Sequence, residues 1–115
     1  MSFFPYLTVI NCKDSINFYT KAFGFILTDK SFSKTEEIIH AEMKFGDSEI
    51  MFCNEGSYNT TAKTPKTYNV EASLNLYIHC ENVDHLYEKA KAAGAKILKN
   101  PKMLSGEIDG VKLKT

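Results

Sequence analysis

Two stretches of the chain match when one is shifted onto the other by 70 residues. Asp14 then falls on Asp84, Ile16 on Leu86, Lys21 on Lys91, Ala22 on Ala92 and Gly24 on Gly94. Each stretch has apolar residues at helical spacing and ends in a glycine. Ile16, Tyr19 and Phe23 recur at i, i+3 and i+7; Val83, Leu86, Tyr87, Ala90 and Ala93 form the second stripe. A glycine one residue past such a stripe is a stop signal, because it enters the left-handed region without a Cβ penalty. Asp14 and Asn82 are the predicted N-caps. A duplicated helix with strand-like runs around it restricts the fold to two copies of one small α+β unit.

The runs on either side complete the unit. Residues 3–10, 25–33, 36–45 and 48–54 read as strands around the first helix, with Gly46-Asp47 as a tight hairpin. Residues 72–80, 95–99 and 108–114 read as strands around the second. The expected fold class is therefore α+β, from paired βαβββ modules: 1–54, then a connecting loop 55–71, then 72–115. On this count the second module lacks its last strand. At 115 residues the chain is one domain by length. The loop is polar and hydroxyl-rich and is predicted to be the most mobile segment, either a linker or a lid whose Tyr58 and Tyr68 can fold over a ligand.

Alternation splits the strands into two faces. Leu7, Val9, Ala41, Met43, Phe45, Ile50, Phe52, Leu74, Leu76 and Ile78 form the apolar set, predicted to pack on the helices. The other face is mixed: Tyr6, Thr8, His40, Glu42, Lys44, Glu49, Met51, Cys53, Asn75, Tyr77 and His79. A solvated face is the plain reading. The sharper one is a curved mixed sheet whose concave face lines a ligand cavity.

Charge narrows the partners. Fourteen basic and fourteen acidic residues cancel, so the chain lacks the positive excess expected of a nucleic-acid binder. No apolar run reaches membrane-spanning length, and the N-terminus has no signal-peptide pattern. Cys12, Cys53 and Cys80 are odd in number and widely spaced, which fits a reducing cytoplasm better than a disulfide framework.

The runs Pro5-Tyr6-Leu7-Thr8-Val9, Ser15 to Gly24 ("SINFYTKAFG") and His40 to Ser48 ("HAEMKFGDS") resemble the vicinal oxygen chelate superfamily: glyoxalase I, extradiol dioxygenases, and bleomycin- and fosfomycin-resistance proteins. The hairpin resembles the PhnB-like branch, and Leu76 to Asp84 resembles the strand opening the family's second module. The resemblance implies up to four metal ligands, His, Gln or Glu, on the first and fourth strand of each module. Three of those positions fall on Phe4, Met51 and Asn75; the fourth is expected beyond Thr115. A phenyl, a thioether and an amide are a poor donor set for Zn²⁺, Ni²⁺, Mn²⁺ or Fe²⁺.

The expectation is thus a metal-free protein without a cofactor, binding and sequestering a toxic or antibiotic small molecule as bleomycin-resistance proteins do. The predicted ligand-binding residues are Tyr6, Thr8, His40, Met51, Cys53, Asn75, Tyr77 and His79; no catalytic residue is assigned. The alternative is a lyase, isomerase or dioxygenase with a noncanonical divalent-metal site built from His40, Glu49 and His79. A homodimer is expected, both from the family and from the open edge a missing strand would leave.

Overall fold

The structure is a computed structural model and describes residues 1–71, 74, 76–79, 81–97, 104–105 and 111–113. Strand β1 (Tyr6–Val9) leads into helix α1 (Cys12–Phe23), followed by β2 (Ile26–Phe32), β3 (Ile38–Phe45) and β4 (Ser48–Asn54). The sheet order is β1-β4-β3-β2. β1 pairs parallel with β4, and the other two pairings are antiparallel.

The chain then makes a 3-10 turn (Ser57–Asn59) and a single-turn helix α2 (Pro65–Tyr68). The second module is β5 (Leu76–Ile78), α3 (Val83–Ala92), β6 (Lys96–Ile97), β7 (Leu104–Ser105) and β8 (Val111–Leu113). Its order, β5-β8-β7-β6, repeats the first. The duplication read from the helices is thus a duplication of the whole βαβββ topology.

One expectation is corrected here. The last strand is present: β8 pairs parallel with β5 as β4 does with β1. β6 and β7 have two residues each, too few to show a period of two. Leu104-Ser105 thus carries no strand signal of its own, and the run at 108–114 holds the last strand of the module, not the one before it. The fourth family position accordingly falls in Val111–Leu113, not beyond Thr115.

The core forms where the apolar strand face meets the helices. Val9, Ala41, Met43, Ile50 and Phe52 are buried against Cys12, Phe18, Tyr19, Ala22 and Phe23 of α1. The Tyr19 ring lies 5.0 Å from Phe52 and 5.3 Å from Phe25, so edge and tilted aromatic contacts add to area burial. α1 also packs on α3, and the core continues through Ala90 and Ala95 with Leu76 and Ile78 at its border. Two predicted core residues are exposed instead. Phe45 sits at the hairpin end of β3, stacked on Phe25 at 5.3 Å, and Leu74 precedes β5.

Helix ends obey local chemistry. Gly24 takes φ +74 and closes α1 as read. Asn82 caps α3 by accepting from the His85 N–H. The cap of α1 is Asn11, not Asp14: the Asn11 side chain accepts from the Asp14 N–H, and Asp14 lies in the first turn. Its carboxylate there meets the positive end of the helix dipole.

Residues 55–71 are more ordered than their composition suggests. The Glu55 carboxylate accepts from the Thr64 N–H at 2.7 Å and the Thr67 hydroxyl at 2.7 Å. Thr64 is buried and caps α2. The loop is tied by hydroxyl and carboxylate groups rather than by aliphatic anchors.

Candidate functional site

Strand register decides which mixed-face residues meet. Tyr6 lies opposite Met51, and Met51 opposite Glu42; Thr8 lies opposite Cys53, and Cys53 opposite His40. β4 stands between β1 and β3, so Tyr6 and His40 are two strands apart. Both side chains are long enough to arch over it. The Tyr6 hydroxyl and His40 Nδ1 are 2.9 Å apart, and the rings meet edge-on at 5.5 Å. Cys53 lies between them and is 8% exposed despite facing away from the helices.

The other imidazole nitrogen, Nε2, is 2.9 Å from a Glu42 carboxylate oxygen. Glu42 is two residues from His40 on the same strand, hence on the same face. A carboxylate only accepts, so Nε2 carries the proton. In the neutral imidazole Nδ1 is then an acceptor and Tyr6 donates to it. The His40 side chain is 13% exposed and that of Glu42 36%, while Tyr6 is 49% exposed. The chain Tyr6–His40–Glu42 thus has a covered middle and two more exposed end residues. The Tyr6 pKa is pushed up to about 12, first by burial of its hydroxyl end and then by the neighbouring Cys53 thiol and Tyr58 phenol, so its hydroxyl stays protonated.

Tyr58 comes from the connecting segment. It and Asn59 adopt left-handed backbone (φ +55 and +60), uncommon for residues with a Cβ. The turn brings the Tyr58 ring to 6.3 Å from His40, edge-on, with most of the ring exposed. Tyr68, the other tyrosine of the segment, is also exposed.

Of the eight predicted residues, Tyr6, Thr8, His40, Met51 and Cys53 share the open face of the first sheet. Tyr77 and His79 belong to the second module and are exposed; Asn75 lies outside the described residues. Tyr77 lines a cleft of about 340 Å³ with Phe3, Phe4, Glu49 and Leu76. Among the described residues, none of the other predicted ones lines that cleft. A second cleft of about 300 Å³, near Asn11, Lys66 and Gly94, takes none of the described ones. Glu42 was missing from the predicted set. Its signal was present as the i, i+2 partner of His40 on one strand face.

The donor set does not fit the family's metal. Phe4 offers no lone pair, Met51 offers a thioether, and the second module's fourth strand supplies Val111, Lys112 and Leu113. Nor does a relocated site form: Tyr6 and Glu42 occupy both nitrogens of His40, while Glu49 lines the cleft. Among the described residues, no three His, Cys, Asp or Glu side chains are grouped to hold a metal ion.

An α+β chain of two βαβββ modules, with a polar network on the sheet face away from the helices, defines the class. The model of the Glyoxalase/Bleomycin resistance protein/Dioxygenase superfamily matches residues 4–108, and the chain belongs to that superfamily. Its fold is similar to that of a gene product of Arabidopsis thaliana: TM-score 0.80, 20% identity, covering 98% of this chain and 95% of that one. It is also similar to a PhnB protein from Bacillus cereus: TM-score 0.69, 16% identity, covering 99% and 98%. A glyoxalase/bleomycin resistance protein/dioxygenase family enzyme from Burkholderia phytofirmans gives TM-score 0.68 at 21% identity, covering 96% and 94%. No curated protein matches the sequence. Among the described residues no helix is long and apolar enough to cross a membrane.

Proposed function

We propose that the chain is a metal-free small-molecule-binding protein that sequesters its ligand on the mixed face of the first sheet. The observation that carries this is the Tyr6–His40–Glu42 chain, flanked by Met51 and by the exposed ring of Tyr58. Aromatic rings and a thioether offer apolar contact, and the hydrogen-bonded chain fixes the orientation of a polar group. Tyr77, His79 and Asn75 would complete the site from the second module. The family's pairing of modules between chains supports a homodimer; with β8 in place, the argument from a missing strand falls away. Cys12 and Cys53 are in no disulfide, which suits a reducing cytoplasm.

The test is a thermal-shift screen of small aromatic compounds and of divalent metals, with hits mapped by NMR. Ligands that stabilise the protein should move the Tyr6, His40 and Met51 resonances. Shifts confined to Phe3, Phe4 and Leu76 would place binding in the cleft instead. Stabilisation by sub-micromolar Ni²⁺, Mn²⁺ or Zn²⁺ would overturn the metal-free reading in favour of a lyase, isomerase or dioxygenase. Light scattering should show a dimer at tens of micromolar.

A further inference from the structure

We propose that Tyr6, His40 and Glu42 form a proton relay that takes a weak O–H acid, a phenol or enol, and holds it as its anion. The inference rests on the binding face proposed above and deepens it by naming the ligand's chemistry.

The directions of the hydrogen bonds carry the argument. Glu42 fixes the proton on Nε2, so Nδ1 accepts the only proton of the Tyr6 hydroxyl. The Cys53 thiol also stands beside this hydroxyl, and the Tyr6 oxygen keeps a lone pair that calls for a donor on the ligand. A ligand O–H can do more than donate. Its O–H bond breaks as a new O–H bond forms at Tyr6 Oη. The original Tyr6 O–H bond breaks as an N–H bond forms at His40 Nδ1. The ligand is left as an oxyanion beside a protonated phenol, and His40 as an imidazolium against the Glu42 carboxylate. One proton has moved from ligand to imidazole, and none has entered or left the site.

Each member suits its place. Because its pKa is raised, Tyr6 passes the proton on and does not stay ionised. His40 is the covered member, and the Glu42 carboxylate stands 2.9 Å from its Nε2. Among the described residues, the other groups facing His40 are the Cys53 thiol from β4 and the Tyr58 phenol from the 3-10 turn. β2 opposes it with Ser31, which does not titrate. None of these adds a positive charge that would oppose the imidazolium. The exposed ring of Tyr58 offers an aromatic surface for the ligand's own ring.

The probe is 4-nitrophenol, whose phenol and phenolate absorb at different wavelengths, at a pH one unit below its solution pKa. Bound to the protein, it should shift toward phenolate by about tenfold in the phenolate-to-phenol ratio, the order of one pKa unit. The ¹⁵N spectrum of His40 should become that of a doubly protonated ring as ligand is added. Glu42→Gln keeps an acceptor for Nε2–H but removes the charge, and Tyr6→Phe removes the relaying hydroxyl. Both should bind the nitrophenol as the neutral phenol. A nitrophenol that moves the Tyr6 and Met51 resonances yet stays neutral overturns the relay and spares the binding face. Equal ionisation in wild type and both variants also overturns it. So does no binding, which rejects the ligand class and leaves the face to the screen described above.

Discussion

Asn54 should be among the most sensitive polar positions in the chain, although it touches no ligand-facing group. It ends β4 and is buried. Its carbonyl oxygen accepts the Cys12 N–H at 2.7 Å, at the start of α1. Its amide donates to the Ile38 carbonyl at 3.0 Å and to the Glu37 carboxylate at 3.3 Å. One side chain thus joins β4, α1 and the start of β3. Asn54→Ala takes the acceptor from a buried N–H, which costs about 1–3 kcal/mol, and a donor from a half-buried carbonyl, worth about 1 kcal/mol more. The Glu37 carboxylate is exposed and regains water, so its bond adds little. The expected loss is about 2–4 kcal/mol. At about 2.1 cal/mol/K per residue, a 115-residue chain has a melting entropy of about 0.24 kcal/mol/K. Tm should then fall by about 8–16 °C. Urea denaturation should show a lower midpoint at unchanged slope. Asn54→Asp should not recover the loss: a carboxylate still accepts from the helix N–H, but its second oxygen faces the Ile38 carbonyl and the Glu37 carboxylate. A loss under about 1 kcal/mol for Asn54→Ala, at unchanged slope, would show that water replaces the amide and would refute the accounting.

Phe52→Ala, at a fully buried site packed on Tyr19, should cost about 3–5 kcal/mol by urea denaturation. Gly24→Ala should cost about 1–2 kcal/mol: a Cβ there meets no atom within 4 Å, so only the left-handed backbone at φ +74 is penalised. The hydrogen bonds from Thr64 and Thr67 hold the Glu55 pKa below the ordinary glutamate value. Its clip on the connecting segment should thus be fully present above about pH 4.5 and lost as pH falls through the lowered value. Amide exchange at Thr64 should show this loss, and Glu55→Gln should abolish its pH dependence.

The sequence alone determined the features that are local. A seventy-residue repeat, apolar residues at helical spacing and a glycine at each helix end specified two like modules. Alternation along β1, β3 and β4 assigned Val9, Ala41, Met43, Ile50 and Phe52 to the core. It put Tyr6, His40 and Cys53 on the opposite face. These signals work because turn conformations and side-chain directions depend on a few neighbouring residues. They weaken with shortness: a two-residue strand shows no period, so β7 has no signature in the sequence, although the second module has all four strands.

Tertiary structure decided what lies across the sheet. Alternation names a residue's face but not its row or its distance from residues on other strands. Tyr6 meets His40, 34 positions away, because β4 inserts between their strands and the register sets them diagonally across Cys53. Asn54 reaches Cys12, 42 positions back, because β4 ends beside the start of α1. Glu55 orders a segment whose composition reads as loop because Thr64 and Thr67 fold back to its carboxylate. Each contact is a directional bond between groups that strand order and register bring together, and no short window of sequence contains both partners.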